Sequence, residues 1–260
     1  MHVQPALRVQ PTGADVSRSA AHLIVDGLAA AIAERGVAHW VTTGGSACPG
    51  IYEALFQPPL NDALDWSRVH VWWGDDRFVP AEDAESNVRP FAEMLLAPDD
   101  GLPFLPEHVH RVDVAGAIAH GAGPAWAAEA YDAAIRTVGP AAGPDGVPVF
   151  DVLVVGVGPD GHILSVFPGS PVWDEEALVT DVAAPAHTRP HLARVTMHPR
   201  LLPAARAVLV VTAGGTKAGA LARAWSDHDD DVRALPVEAT MLPQATWILD
   251  EAAAAKLRHG

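Results

Sequence analysis

The sequence predicts an α/β fold: a doubly wound, mainly parallel sheet with helices on both faces, which makes a three-layer α/β/α, Rossmann-like architecture. Short runs of apolar and β-branched residues alternate along the chain with longer segments whose apolar residues recur at helical spacing. Several short runs end in glycines, as parallel strands do where the chain turns towards the next helix. The chain has 260 residues, without an internal repeat or a low-complexity linker, and is expected to form one domain over residues 1–260.

The helices of the amino-terminal half are predicted from periodicity and from the residues at their ends. Apolar residues recur at helical spacing up to Gly36, and glycine suits the position after the last helical residue. Pro49 suits a first helical turn, and Ser86 suits the position before one. Helices are expected over residues 15–35, 49–56, 86–96 and 124–138, and strands over 38–42, 69–73 and 109–112.

The carboxyl-terminal half contains the most strongly apolar strands. Residues 152–157 are apolar and mostly β-branched, which is typical of a strand buried on both faces of a parallel sheet. Further strands are expected over 177–183, 193–197, 207–212 and 246–249, helices over 216–225 and 251–258, and a solvated acidic loop over 227–231.

Composition and charge narrow the classes of function. The net charge at pH 7 is −15 with histidine neutral, which repels a phosphate backbone and argues against nucleic-acid binding. The chain shows no apolar run of about 18 residues, so we expect no membrane span, and it shows no secretory signal. Cys48 is the only cysteine, which excludes an internal disulfide and agrees with a cytoplasmic location. The 13 histidines are scattered without metal-binding spacing, so we expect neither a metal nor another cofactor.

An acid and an imidazole follow the most apolar strand. Three glycines and a proline within residues 156–161 end that strand abruptly. They place Asp160 and His162 at its carboxyl end, the edge at which open α/β sheets bind ligands. Taken alone, the same residues also suit an ordinary turn.

Two other strands end in loops that suit a ligand. Gly44, Gly45 and Ser46 lie between a strand and a helix, an arrangement that aims free backbone N–H groups at an anion, although a flexible turn has the same composition. Asp75 and Arg77 come directly off the strand over 69–73, where a solvated hairpin turn and a ligand site look alike.

Two further features bear on a ligand. The strand over 207–212 runs into a glycine pair followed by Lys217. Of the eight tryptophans, only Trp73 lies next to one of these loops and is expected to approach a ligand.

Taken together, four segments resemble the 6-phosphogluconolactonase family. They are Gly44-Gly45-Ser46 before a helix, WGDDRFVP over 73–80 with Ser86-Asn87 downstream, GVGPDGH over 156–162 with FPGS over 167–170, and RVT over 194–196 with GGTK over 214–217. The resemblance spans about residues 44–221. That family is similar to the glucosamine-6-phosphate deaminases and shares their doubly wound fold. The deaminases usually carry an asparagine-glutamate pair where this chain has Val166-Phe167, which favours the lactonase.

The resemblance implies hydrolysis of 6-phospho-D-glucono-1,5-lactone to 6-phospho-D-gluconate in the oxidative pentose phosphate pathway. His162 would be the base that activates water, since imidazole is largely neutral near pH 7. Either Asp160 or Asp75 would orient its ring. The resemblance also implies glucose-6-phosphate dehydrogenase as a functional neighbour. The expected phosphate-binding residues are Gly44, Gly45, Ser46, Arg77, Lys217 and, second in rank, Arg194.

Two other functions compete with this one. An aminosugar-phosphate deaminase or isomerase of the same fold would release ammonia from glucosamine 6-phosphate. A non-catalytic sensor of the same fold would bind a sugar phosphate without turnover, and changing His162 would scarcely alter its output.

Overall fold

The structure is a computed structural model that describes residues 4–97, 101–186, 188–226 and 231–257. Most of the predicted acidic loop over 227–231 and the end of the predicted helix over 251–258 lie outside these residues. Strands and helices alternate along the described chain. In order they are β1 (Ala6–Gln10), α1 (Gly13–Arg35), β2 (Ala38–Thr42), α2 (Cys48–Leu55), β3 (Val69–Trp73), β4 (Asp75–Arg77), α3 (Val88–Leu95), β5 (Val109–His110), α4 (Val114–Ala119), α5 (Pro124–Val138), β6 (Val152–Val155), β7 (Val179–Val182), β8 (Arg194–Met197), α6 (Leu201–Ala204), β9 (Ala207–Thr212), α7 (Ala218–Ser226), β10 (Ala245–Asp250) and α8 (Glu251–Ala254).

Seven strands form one sheet in the order β1-β10-β9-β6-β2-β3-β5, and every neighbouring pair in it is parallel. The predicted doubly wound, parallel architecture is therefore confirmed. From β2 the chain moves outward to β3 and β5 and then returns to β6 on the other side of β2. The connections after β2 and β6 thus run in opposite directions, which opens a crevice at their carboxyl ends.

Helices cover both faces of this sheet. One core combines α1, α2 and α3 with the side chains of Val152 and Val154 on β6. The other combines α4 to α8 with the intervening Leu153 and Val155. Successive side chains of a strand point to opposite faces, so an unbroken apolar run such as β6 serves both cores.

The longest helix, α1, is delimited by local interactions. The Thr12 hydroxyl accepts a hydrogen bond from the Asp15 N–H at 3.2 Å, and Gly36 ends the helix with a φ of 78°. Its length and composition would also suit a membrane span. In this fold one side of α1, including Ile24 and Leu28, is buried in the core, which accounts for its apolar composition.

The sequence analysis missed four elements, β1, β4, α4 and α6, and a second, three-stranded sheet. That sheet has the order β4-β8-β7 and is antiparallel. Residues 75–77 were expected to be a loop, because their charges come directly off the end of the strand over 69–73. They form β4 because they pair with β8, more than 100 residues further along the chain. The helix expected over 216–225 begins as a 3₁₀ turn, Gly215–Lys217, and continues as α7.

Four histidines cluster on β2 and β3 and around β5. His70 Nδ1 lies 2.9 Å from His110 Nε2, and the His108 ring stacks on His70 with centroids 3.8 Å apart. The His39 ring lies 4.6 Å from that of His70. No three potential metal ligands in the described residues are arranged to hold a metal ion. This histidine cluster is therefore an imidazole stack on one side of the sheet.

Candidate active site

Loops from three adjacent strands of the large sheet, β6, β2 and β3, meet at their carboxyl ends beside Arg194 of β8. They surround a cavity of about 120 Å³, and its lining residues are Thr43, Gly44, Gly45, Asp75, Arg77, Asn87, Gly156, Val157, Gly158, His162, Leu164 and Arg194. Residues more than 100 positions apart in the sequence meet here because β6 lies beside β2.

His162 is held from both sides by its own loop. Its Nδ1 lies 2.5 Å from Oδ1 of Asp160, and its ring is only 18% exposed. A Cβ on Gly158 would lie 2.1 Å from the ring, so only glycine leaves room for the imidazole there. Gly161 has a φ of 86°, a conformation that favours glycine. With the Nδ1 proton directed at a carboxylate, Nε2 is the nitrogen that can accept a proton.

Asp160, not Asp75, contacts the imidazole. The Asp75 carboxylate is buried and accepts a hydrogen bond from the hydroxyl of Ser165, which is itself fully buried. Of the two carboxylates considered from the sequence, Asp160 therefore has the geometry of the orienting group. Asp75 lines the same cavity from the opposite loop.

The small sheet brings two arginines together. Arg77 on β4 is the direct partner of Arg194 on β8, and Asp75 points to the same face as Arg77 because alternate residues of a strand share a face. Arg194 is 3% exposed, and burial lowers the pKa of its guanidinium. Among the described residues, the Nε atoms of both arginines are buried without a hydrogen-bond partner. Two such cations beside a cavity of an acidic protein favour an anionic ligand.

Arg77 is also anchored outside the cavity. Its guanidinium donates to the backbone carbonyl of Glu85, and its Nη1 lies 3.9 Å from the Glu85 carboxylate. Arg77 thus pairs with Glu85 and not with its sequence neighbours Asp75 and Asp76.

The glycine loop and Lys217 enclose an adjoining cavity of about 60 Å³, which shares Gly44 and Gly45 with the first. Gly45 has a φ of 92° and is exposed. Ser46 lines this second cavity and is also exposed. The Lys217 ammonium donates to the backbone carbonyl of Ala213 at 3.0 Å. Of the nine residues proposed from the sequence, eight therefore line one of two joined cavities, and the ninth, Asp160, contacts His162.

The sequence analysis did not assign roles to Ser165, Asn87 and Asp76. Asp76 lies on the opposite face of β4 from Asp75, and its carboxylate accepts hydrogen bonds from the Asn87 and Arg77 N–H groups and the Ser86 hydroxyl, at 2.7 to 3.0 Å. Burial raises the pKa of Asp76 to about 6. Asp76 thus tethers the segment that contains Asn87. The motif WGDDR…SN already contained Asp76 and Asn87. Only the pairing of β4 with β8 shows which of the two acids, Asp75 or Asp76, faces the cavity.

The expectation for Trp73 was wrong. Its ring is fully buried, and its Nε1 donates to the backbone carbonyl of Asn87 at 3.1 Å. Trp73 therefore does not line the cavity, and it contacts the site through its hydrogen bond to Asn87, which does.

Comparison with known proteins gives consistent matches. A family model described as glucosamine-6-phosphate isomerases/6-phosphogluconolactonase matches residues 11–248. A 6-phosphogluconolactonase of Streptomyces coelicolor is 36% identical over 243 residues, which are 93% of this chain and 90% of that protein. The solved structure of a 6-phosphogluconolactonase from Trypanosoma cruzi has a TM-score of 0.86 at 27% identity, covering 100% of this chain and 99% of that one. A monomeric glucosamine-6-phosphate deaminase has a TM-score of 0.76 at 16% identity, covering 96% and 99%, and shares the fold.

Proposed function

This chain belongs to the glucosamine-6-phosphate isomerase/6-phosphogluconolactonase family, and from this premise we propose how its residues perform its activity. The activity is that of a 6-phosphogluconolactonase, the hydrolysis of 6-phospho-D-glucono-1,5-lactone to 6-phospho-D-gluconate in the pentose phosphate pathway. The observation that carries the mechanism is the Asp160–His162 pair, whose imidazole lines the same cavity as Arg77 and Arg194.

The nucleophile is water, and His162 is its base. A lactone is an activated ester, so a covalent intermediate is unnecessary. Nε2 of His162 takes a proton as the water oxygen bonds to the carbonyl carbon, and Asp160 stabilises the imidazolium that forms. When the bond from that carbon to the ring oxygen breaks, His162 returns the proton to the departing oxygen. A positioned base of this kind contributes roughly 10² to 10⁴ in rate.

Asp75 binds the sugar from the opposite side of the cavity. One of its carboxylate oxygens accepts from Ser165, and the carboxylate retains further capacity to accept from a hydroxyl of the sugar. This role explains a buried acid that does not contact His162.

The phosphate is bound at the far end by cations and backbone N–H groups. Gly44, Gly45 and Ser46 supply amides ahead of α2, and Lys217 supplies charge from the adjoining cavity. Arg77 and Arg194 supply charge from the Asp75 side of the first cavity. Hydrogen bonds between charged groups and phosphate are about twice as strong as neutral ones. A cationic end and a basic imidazole thus select a lactone that carries an anionic group.

The test is to replace His162 with Asn and follow lactone opening above the spontaneous rate. We expect kcat to fall by roughly 10² to 10⁴ with little change in KM. His22→Asn, a change at an exposed histidine on α1, is the matched control and keeps the wild-type rate. Near-normal turnover by a folded His162→Asn enzyme would remove His162 from this role.

A side-by-side assay separates the competing functions. The wild-type chain is given the phosphorylated lactone, the unphosphorylated lactone and glucosamine 6-phosphate. Faster opening of the phosphorylated lactone without release of ammonia supports the lactonase. Ammonia from glucosamine 6-phosphate would favour the deaminase, whose fold the chain shares, and binding without turnover would favour a sensor.

A further inference from the structure

Asn87 connects two loops of the site and has no role in the mechanism above. Its backbone N–H donates to the Asp76 carboxylate at 2.7 Å, and its carbonyl accepts from the Trp73 indole at 3.1 Å. Its side-chain Nδ2 donates to the backbone carbonyl of Asp75 at 2.8 Å. The residue is 6% exposed and lines the larger cavity. Both its backbone and its amide are therefore fixed to the β3–β4 connection.

The other side of the same amide supports the glycine loop. A Cβ on Gly44 would lie 1.9 Å from Oδ1, 2.2 Å from Cγ and 2.6 Å from Nδ2 of Asn87. Gly44 is not among the glycines with positive φ, so its backbone conformation does not demand glycine. Contact with the Asn87 amide is what excludes a larger residue at Gly44.

This contact lies beyond the end of the sheet. The strands β2 and β3 are held in register along their length, and the Gly74 N–H still donates to the Thr42 carbonyl at 2.9 Å. Beyond this hydrogen bond, the segment after β2 continues to Gly44 and the segment after β3 continues to Asp75, and both residues are proposed to bind the substrate. Asn87 bridges Gly44 on one segment and Asp75 on the other, at the point where the strands no longer bond each other.

We propose that Asn87 is a positioning residue that sets the distance between the phosphate-binding glycine loop and the Asp75 side of the cavity. It thereby matches the site to the length of a lactone that carries a terminal phosphate. This inference rests on the proposed function, because it needs the phosphate at the glycine loop and the lactone ring beside Asp75 and His162. Asparagine suits the position since its amide donates to the Asp75 carbonyl and adds no negative charge beside the phosphate.

Four variants test this role: Asn87→Ala, Asn87→Asp, Gly44→Ala, and the double variant Gly44→Ala/Asn87→Ala. For Asn87→Ala we expect kcat/KM on the phosphorylated lactone to fall by about 10² and on the unphosphorylated lactone by less than about threefold. Asn87→Asp keeps the size of the side chain but adds a charge, and it raises KM for the phosphorylated lactone by about tenfold or more.

The double variant distinguishes positioning from general structural damage. Gly44→Ala alone drives a methyl group into the Asn87 amide and loses about 10² or more in kcat/KM. In the double variant the obstructing Cγ, Oδ1 and Nδ2 atoms are gone, so we expect a loss of about 10², like that of Asn87→Ala alone, and not the product of about 10⁴ that two independent effects would give. Asn61→Ala is the matched control outside the cavity and keeps wild-type kinetics. If Asn87→Ala fails to fold, Asn87→Ser, which also lacks the amide, replaces it in the cycle.

Calorimetric binding of 6-phosphogluconate to the same variants separates this inference from the proposed function. Absence of lactone turnover by the wild-type chain would refute the function, and the binding measurements would still test the positioning role. Affinity losses of Gly44→Ala and Asn87→Ala that do not add in the double variant support it. Equal losses on both lactones, or losses of the two single variants that multiply in the double variant in both turnover and binding, would overturn it.

Discussion

The histidine cluster of His39, His70, His108 and His110 should make the fold sensitive to acid. Burial lowers the pKa of His39 to about 3, helped by the charges of its neighbours, and burial lowers the pKa values of His70 and His110 to about 4. Arg35 also opposes a charge on His39. The Asp151 carboxylate, which accepts from the His39 backbone N–H, is already engaged by the Arg35 guanidinium. Little in the cluster therefore compensates an added proton.

The direction of the effect follows from proton binding. In the unfolded chain the imidazoles of His39, His70 and His110 titrate near pH 6.5, whereas in the fold the pKa values are about 3 for His39 and about 4 for His70 and His110. Between those values the unfolded state binds more protons. The stabilising contribution is therefore complete above about pH 6.5 and declines as the pH falls.

The size of the effect can be bounded. Below pH 6.5 such a histidine is protonated in the unfolded chain but still neutral in the fold. It then lowers the free energy of unfolding by at most about 1.4 kcal/mol per pH unit. His70 and His110 are partly exposed, and solvent reduces their share. For the cluster as a whole we expect a loss of about 2 to 4 kcal/mol between pH 7 and pH 5.

Denaturant unfolding at pH 7 and pH 5 measures this loss in the wild-type chain and in His70→Gln. Glutamine can still hydrogen-bond to His110 but does not titrate, so the variant should lose about 1 kcal/mol less over the same interval. His22→Gln, at an exposed position, should behave like the wild type. Identical losses in the wild-type chain and His70→Gln, or an NMR titration of His70 near pH 6.5 in the folded protein, would refute the reasoning.

Three further predictions concern the site. Asp160→Asn removes the charge that holds the Nδ1 proton of His162, so kcat for the phosphorylated lactone should fall by about 10² or more, and a folded variant with normal kcat would contradict the pairing. Gly158→Ala places a methyl group 2.1 Å from the His162 ring; steady-state assays should show a loss of about tenfold or more in kcat while the circular dichroism spectrum is unchanged. Lys217→Ala should raise KM for the phosphorylated lactone by about tenfold and leave KM for the unphosphorylated lactone unaltered, and an equal effect on both would exclude a phosphate contact.

Much of the fold could be read from local patterns, because its strands are short apolar runs with clear ends. The strands β2, β3 and β9 and the helix α5 have the predicted bounds, and α1 differs by two residues at its start. The errors fall where tertiary contacts override local preference. β4 is a polar segment that becomes a strand through β8, and α7 starts late because Gly215–Lys217 forms a 3₁₀ turn.

In the candidate site, too, local contacts could be predicted from the sequence and contacts between distant segments could not. His162 and Asp160 were found because glycines end their strand, and a contact between residues two apart is local. The choice between Asp160 and Asp75 was open in the sequence, since it depends on where the second loop comes to lie. Ser165 and Asn87 were missed as site residues because their partners, Asp75 and Gly44, are distant in sequence.

Alternating apolar runs and helices, each run ending at a turn, were sufficient to specify a parallel sheet whose functional loops share one edge, because parallel strands all present their carboxyl ends on the same side. The order of those strands was not contained in any local pattern. It required β6 to insert beside β2, and β4 to pair with β8, so that Arg77 faces Arg194. Such pairings are stabilised by packing between segments far apart in the chain. That packing free energy is gained only when the whole core forms, so no local pattern can reveal it.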